Sequence, residues 1–385
     1  MKIKKSYDEI NRKLAQGKAV VLTAEEVKQM AEARGVKAVA KKVDVVTTAT
    51  FGAMCSSGAF INFGHSTPPI KMVKVWLNDV PTCAGLAAVD AYIGATEISE
   101  NNPEYGGAHV IEDLVAGRNV RLRAQGKGTD CYPRKNIETY VNKKTLNECF
   151  LFNPRNAYQN YAAATNSTDR MIYTYMGILL PNFGNATFAT TGELSPLLND
   201  PELRTIGIGT RIFLGGTAGF IAWNGTQFNT TQPRARNRVP LKPSATLSLI
   251  GDLKKMSREY IRAAVFERYG VSLFVGIGLP IPVLDEEIAR FVTVRDRDIK
   301  TYLYDYGIAS HPVVAQTNYA ELKSGSLRIN NREIKTAPLS SVFKARKIAL
   351  SLKQWLLKGE FSLSEPVQRL PKNTTVRKLF IREVK

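Results

Sequence analysis

The stretch "VDVVTTATFGAMCSSG", residues 43–58, decides how the chain is read. Its first half is rich in Val and Thr and reaches Phe51, which predicts a strand. Its second half is small and polar, which predicts a loop, and Cys55 sits in it. A strand that delivers the chain into a small-residue loop is a common way to present reactive groups on a rigid scaffold. Upstream, "SYDEINRKLAQGK" (6–18) and "TAEEVKQMAEARG" (23–35) read as two short helices around a strand in "AVVLT" (19–23). Thr23 is placed as an N-cap, with Glu26 completing a capping box and Gly35 as the stop. Helix, strand, helix and strand in succession predict an α/β fold, with mixed α+β as the alternative.

Downstream, "IKMVKVWLNDV" (70–80) predicts a strand and "AGLAAVDAYIGATEI" (84–98) a buried helix. "AHVIEDLVAGRNVRLRAQGKGTDCYPR" (108–134) reads as a helix, an alternating strand and a glycine-rich turn that ends at Cys131. Cys55 and Cys131 thus share a setting, just beyond a strand in a loop of Gly, Ser or Thr. "RTIGIGTRIFLGGTAGFIAWNGTQF" (204–228) is apolar and punctuated by glycine. "GVSLFVGIGLPIPVLDEEIARF" (270–291) predicts a buried strand that breaks at Gly-Leu-Pro into a helix. "RKIALSLKQWLLKGEF" (346–361) is a basic amphipathic helix. No repeat, low-complexity tract or long linker divides the chain. The expected architecture is a single multi-layered unit over residues 1–360, ending in a helical extension, with a basic tail at 361–385.

Bulk composition supports a globular chain: 385 residues, 44% hydrophobic and 23% charged. Fifty-three Lys and Arg against thirty-four Asp and Glu give a formal charge of +19, which favours anionic partners without choosing among them. The basic residues near both ends alternate with apolar ones, as on solvated helix faces or a protein-docking surface, so nucleic acid is not the favoured partner. The N-terminus lacks the apolar core of a signal peptide, and no apolar run approaches the ~20 residues needed to span a bilayer. A cytoplasmic protein is expected, and there its four cysteines read as buried thiols, metal ligands or catalysts before they read as disulfides.

Cys55, Cys83, Cys131 and Cys149 include no C-x-x-C pair, and His65, His109 and His311 form no short-spaced ligand motif, so no metal site is expected within the chain. Neither glycine-rich stretch has the spacing of a dinucleotide or phosphate loop; close packing or tight substrate approach explains those glycines. A nucleophilic thiol needs exposure together with cations or N–H donors. Cys55 has Ser56, Ser57 and Gly58 beside it. Cys131 has Lys127, Arg134 and Lys135 nearby, with Asp130 opposing thiolate formation. Cys83 and Cys149 lie among apolar neighbours and read as packing thiols. His65, ten residues after Cys55, is a base or a substrate donor on one reading and ties down loop backbone on the other; His109 divides the same way.

The blocks "AMCSSGAFINFGHSTPPIKM", "WLNDVPTCAGLAAVDAYIGATE", "GKGTDCYPR", "FNPRNAYQNY", "GIGTRIFLGG", "GIGLPIPVLDEEIARF" and "APLSSVFKARKIALSLKQWL" occur in the order found in the homocysteine biosynthesis (sulfur-incorporation) family. The chain resembles that family from near its start to about residue 360. The resemblance implies conversion of L-aspartate semialdehyde to homocysteine, and it places the two key cysteines on Cys55 and Cys131. It also implies a ferredoxin-type iron-sulfur protein as a separate electron-donating partner, with no cofactor bound by this chain. On that chemistry a cysteine persulfide carries the sulfur to the aldehyde, and a second cysteine supplies electrons by closing a disulfide that an external reductant reopens. Cys131 is the favoured carrier and Cys55 its partner. Ser56 and His65 are candidate substrate contacts, and Arg134 and Arg155 are candidates for the carboxylate clamp, with surface salt bridges as their alternative. The sequence leaves room for a homodimer. The rival function is a non-catalytic basic scaffold that binds nucleic acid or an iron-sulfur protein.

Overall fold

The computed structural model describes residues 3–329 and 331–382. Helix α1 (Tyr7–Ala15) starts at Ser6, whose hydroxyl accepts from the Glu9 amide. Strand β1 (Val21–Thr23) runs straight into α2 (Ala24–Arg34) through the expected capping box. The Glu26 amide donates to the Thr23 hydroxyl at 3.2 Å, and the Glu26 carboxylate accepts from the Thr23 amide at 2.7 Å. Gly35, at φ 77°, ends α2 in a conformation that costs glycine little. Helix α3 (Val36–Lys42) then returns the chain to β2 (Val45–Ala53), the Val- and Thr-rich strand that leads to Cys55, buried along nearly its whole length.

After a tight turn come β3 (Gly58–Asn62), β4 (Met72–Leu77), β5 (Val80–Thr82) and β6 (Asp90–Gly94). Helix α4 (Gly107–Ala116) is followed by β7 (Val120–Gly126), β8 (Asn136–Val141) and β9 (Glu148–Asn156). The middle holds β10 (Ala163–Thr165), the hairpin β11 (Ile172–Thr174) and β12 (Gly177–Leu179), β13 (Asn185–Phe188) and the single turn α5 (Pro196–Asn199). Next are β14 (Gly207–Ile208), β15 (Arg211–Leu214), β16 (Thr217–Asn224), β17 (Leu247–Asp252), β18 (Ile261–Phe266), β19 (Gly270–Pro282) and α6 (Glu286–Phe291). The chain closes with β20 (Lys300–Asp305), β21 (Val313–Asn318), α7 (Tyr319–Lys323), β22 (Ser326–Ile329), β23 (Arg332–Pro338), α8 (Val342–Leu357) and β24 (Gln368–Arg369).

Ten strands form one large sheet in the order β1-β2-β19-β15-β16-β17-β9-β3-β6, with β18 pairing β19. Six form a second sheet, β21-β20-β10-β13-β23-β22, and four a third, β5-β4-β7-β8. Parallel pairs (β1 with β2, β10 with β20, β13 with β23) stand among antiparallel ones, so the architecture is mixed α/β. Helix α8 packs on β2 and β19 as part of the main core. Its apolar stripe buries Ala345, Ile348, Ala349, Leu352 and Leu356, and each Ile or Leu contributes about 1.5–3 kcal/mol on burial. A Cβ on Gly276 or Gly278 would come within 3.0 Å of Ile348, so these glycines serve helix-on-sheet packing. Among the described residues no helix is long and apolar enough to cross a membrane.

Three expectations need correction. Residues 84–98 contain an edge strand, β6, and no helix. Ala91 and Ile93 alternate inward and β6 pairs with β3, so sheet pairing overrides helix propensity. Cys83, expected to pack, is exposed, in a bridge to Tyr92 beside that strand, whereas Cys149 is buried as expected. The Gly-Leu-Pro sequence does not break its strand: β19 continues to Pro282 in register with β2. The Val283 amide donates to the backbone carbonyl of Asp44, just before β2. The missing N–H groups of Pro280 and Pro282 therefore lie on the opposite edge, where pairing with β15 has stopped at Gly278.

Candidate functional site

Cys55 occupies the turn between β2 and β3, which is closed by the Ser57 amide donating to Met54 O at 3.0 Å. The strand before the turn lies deep in the large sheet and fixes where the turn emerges. One buried side chain fixes its shape. Asn153 of β9, fully inaccessible, donates from Nδ2 to Ser57 Oγ at 2.8 Å, and its Oδ1 accepts from the Arg155 amide at 3.0 Å. Ser56 Oγ donates to Arg155 O at 2.6 Å and lies 3.0 Å from Asn153 Oδ1. Ser56 is thus committed to holding the turn. The thiol of Cys55 is half-buried, with Sγ 3.2 Å from Ser272 Oγ on β19.

The turn opens onto a cavity of about 350 Å³ between the large sheet and the six-stranded sheet, within the ~300–1,000 Å³ typical of small-molecule sites. The large sheet supplies Cys55, Ser56, Arg155 and Tyr269, the last from the β18–β19 turn. The other side supplies Tyr161, which precedes β10, and Tyr175 from the tight turn of the β11–β12 hairpin. A second, outer cavity of about 420 Å³ shares Cys55, Ser56, Arg155 and Tyr269 with the first and adds Thr96, Ile98 and Val271. Cys55 therefore stands at the threshold between an inner chamber and an outer one.

Among the described residues lining the inner chamber, Arg155 is the only one with a permanent charge. It forms no salt bridge among the described residues, although twenty other cation–carboxylate contacts are made across the chain. Burial raises the Tyr158 phenol above its ordinary range, with the Arg155 charge opposing. Burial, with Cys55 beside it, pushes the Tyr269 phenol up to about 12. These phenols stay neutral near pH 7. Among the described residues no three His, Cys, Asp or Glu side chains come together to hold a metal ion.

The remaining sequence candidates assemble elsewhere. Cys131 is exposed in the β7–β8 connection of the four-stranded sheet. Tyr132, next to it, stacks on His65, with centroids 6.3 Å apart. Arg134 donates to the carbonyls of Thr67 and Pro68 at 2.7 and 3.0 Å, bracing the His65 loop. This group lies beyond the Asn62 end of β3 and Cys55 beyond the Gly58 end, so the strand itself interposes about 13 Å. The structure thus brings together Cys55, Ser56 and Arg155, and separately His65, Cys131 and Arg134. His109 accepts from the Gly106 amide at the start of α4 and stacks on Tyr105. Sequence reasoning missed Asn153, Ser272 and the cavity tyrosines: Asn153, Tyr158 and Tyr161 lie inside the block "FNPRNAYQNY" and Ser272 inside "GVSLFVGIGLPIPVLDEEIARF", but nothing local in either stretch marks them, and Tyr175 and Tyr269 lie in no such block.

The family model "Homocysteine biosynthesis enzyme, sulfur-incorporation" matches residues 19–363. A Methanosarcina acetivorans protein named L-aspartate semialdehyde sulfurtransferase is 52% identical over 380 residues, covering 98% of this chain and 74% of that protein. A Methanocaldococcus jannaschii protein of the same name is 51% identical, covering 96% and 74%. An uncharacterized protein of Methanothermobacter thermautotrophicus is 31% identical, covering 83% and 72%. No solved structure matches the chain. With the family model spanning most of its length and two relatives above half identity, the chain belongs to the sulfur-incorporating homocysteine biosynthesis enzymes.

Proposed function

We propose that this chain is an L-aspartate semialdehyde sulfurtransferase, placing sulfur on the aldehyde carbon and yielding L-homocysteine after reduction. The observation that carries this reading is the presence in one chamber of the Cys55 thiol and of Arg155, a guanidinium with no carboxylate partner among the described residues. A small amino-acid aldehyde offers what each lacks: an electrophilic carbon for sulfur, and a carboxylate for the fork of Arg155. The names of the relatives support the same substrate.

The chemistry sets the requirements. Sulfur adds to the carbonyl carbon, giving a thiohemiacetal. Loss of water gives a thioaldehyde, and two electrons with two protons reduce that to the thiol. If the sulfur arrives as the outer atom of a persulfide, two further electrons cleave the sulfur–sulfur bond. In this proposal Cys55 meets the aldehyde, while Cys131, exposed on its loop, meets the sulfur donor and the reductant. Direct exchange between the thiols needs their Cα atoms within about 7 Å, so the Cys131 loop of the same chain or of a second copy has to reach the chamber. An acidic ferredoxin-type iron-sulfur protein is the proposed electron source, attracted by the +19 charge, and the whole reaction is placed in the cytoplasm. The test is homocysteine formation from L-aspartate semialdehyde, sulfide and reductant. Wild type forms it, and Cys55→Ser and Cys131→Ser do not; full activity in both variants contradicts the reading.

A further inference from the structure

Three phenols on the far wall form a continuous chain. Tyr161 OH lies 2.9 Å from Tyr175 OH, which lies 2.7 Å from Tyr306 OH. Tyr161 and Tyr175 line the inner chamber opposite Cys55, whereas Tyr306 does not. Tyr306 follows β20 and stacks face to face on the exposed His311, with centroids 4.3 Å apart. The chain therefore runs from the chamber to a half-buried phenol whose ring lies against an exposed histidine.

Counting protons shows what it offers. A phenol has one proton to donate and two lone pairs to accept with. Three phenols bring three protons to two contacts, so one proton has no acceptor within the group. Among the described residues none of the three hydroxyls has another partner. Tyr175, in the middle, can accept from both neighbours at once, and its own proton is then free to point into the chamber. Burial, reinforced by the neighbouring phenols, raises the Tyr161 and Tyr306 pKa values far above neutrality, so both remain protonated donors.

We propose that Tyr175 is the general acid that protonates the departing oxygen of the substrate, with Tyr306 and Tyr161 holding its proton towards the chamber and Tyr306 renewing it from solvent. This rests on the sulfurtransferase reading above. The step is the collapse of the thiohemiacetal. The thiolate lone pair forms the carbon–sulfur double bond, the carbon–oxygen bond breaks, and the oxygen leaves as water with the Tyr175 proton. No electrons are exchanged, and the proton lost by Tyr175 returns through Tyr306.

The test uses the full chain with Tyr175→Phe, Tyr306→Phe and Tyr161→Phe, each of which keeps the ring. Positioned acid catalysis contributes roughly 10²–10⁴-fold, so Tyr175→Phe is expected to lower kcat by about 10²-fold or more while the aldehyde KM changes less than about twofold. Tyr306→Phe, outside the chamber lining, is expected to lower kcat by roughly tenfold and to enlarge the solvent deuterium isotope effect. Tyr161→Phe should act in the same direction and stands in if Tyr306→Phe does not fold. Wild-type kcat and isotope effect in Tyr306→Phe and Tyr161→Phe overturn the relay; wild-type kcat in Tyr175→Phe overturns the acid. A wild-type enzyme that forms no homocysteine refutes the functional reading instead, which keeps the two failures apart.

Discussion

Replacing Asn153 with Ala removes the side chain that ties the Cys55 turn to β9. Three contacts are lost: Nδ2 to Ser57 Oγ at 2.8 Å, and Oδ1 with the Arg155 amide and with Ser56 Oγ, each at 3.0 Å. A buried hydrogen bond contributes about 1 kcal/mol net, and a group left unsatisfied costs more, so the loss is about 3 kcal/mol. Unfolding entropy is about 2.1 cal/mol/K per residue near 60 °C, or about 0.8 kcal/mol/K for 385 residues. A loss of about 3 kcal/mol thus lowers Tm by about 4 °C. Because the loosened turn also carries Cys55, kcat/KM should fall at least tenfold, read as homocysteine formed per minute on protein shown folded by circular dichroism. A variant with Tm within about 1 °C of wild type and unchanged kcat/KM would refute the assignment of Asn153 as the anchor.

Arg155→Met removes one or two charge-assisted hydrogen bonds of roughly 1.5–3 kcal/mol, so the aldehyde KM is expected to rise about 10- to 100-fold; Tm should hold, since no ion pair is broken, and an unchanged KM in steady-state assays would count against the clamp. Lys28 is buried, donates to Glu193 O at 2.8 Å, and has its ammonium pKa lowered by burial to about 8. The unfolded chain holds this proton up to the ordinary 10.5, so the unfolded state binds more protons between those values. Stability from this group therefore rises with pH across that window, by about 3 kcal/mol in all. Lys28→Met should flatten the rise in urea midpoints between pH 8 and pH 10.5, and identical pH slopes for the two proteins would refute the assignment.

What the sequence shows and what it hides follow from the range of the interactions. The capping box at Thr23 and Glu26, the strand through Phe51 and the helix read over 346–361 and observed as α8 (Val342–Leu357) are set by neighbours within a few residues, so pattern alone finds them. The edge strand at Asp90–Gly94 is set by its partner β3, about thirty residues away, and the local Ala-rich composition points the other way. Pro280 reads as a breaker until the register shows its nitrogen on an edge with no strand opposite. In the site, Cys55, Ser56 and Arg155 are legible because each stands in a distinctive loop or block. Tyr161, Tyr175 and Tyr306 are not: Tyr161 ends the block "FNPRNAYQNY", but up to 131 residues separate members of one hydrogen-bonded pair, and nothing local tells which phenol meets which. The distance between Cys55 and Cys131 belongs to the same class: both loops can be recognised, but only the fold shows that β3 lies between them.

In the proposed reaction Cys55 is the thiol that faces the aldehyde. Alkylation by iodoacetamide near pH 7, read peptide by peptide in the mass spectrometer with and without L-aspartate semialdehyde, tests this directly. The aldehyde is expected to slow modification of Cys55 while the exposed Cys83 and Cys131 react at unchanged rates; Cys149, buried and with its thiol pushed up to about 12, stays unmodified throughout. Protection of Cys131 with none at Cys55 would contradict this role of Cys55.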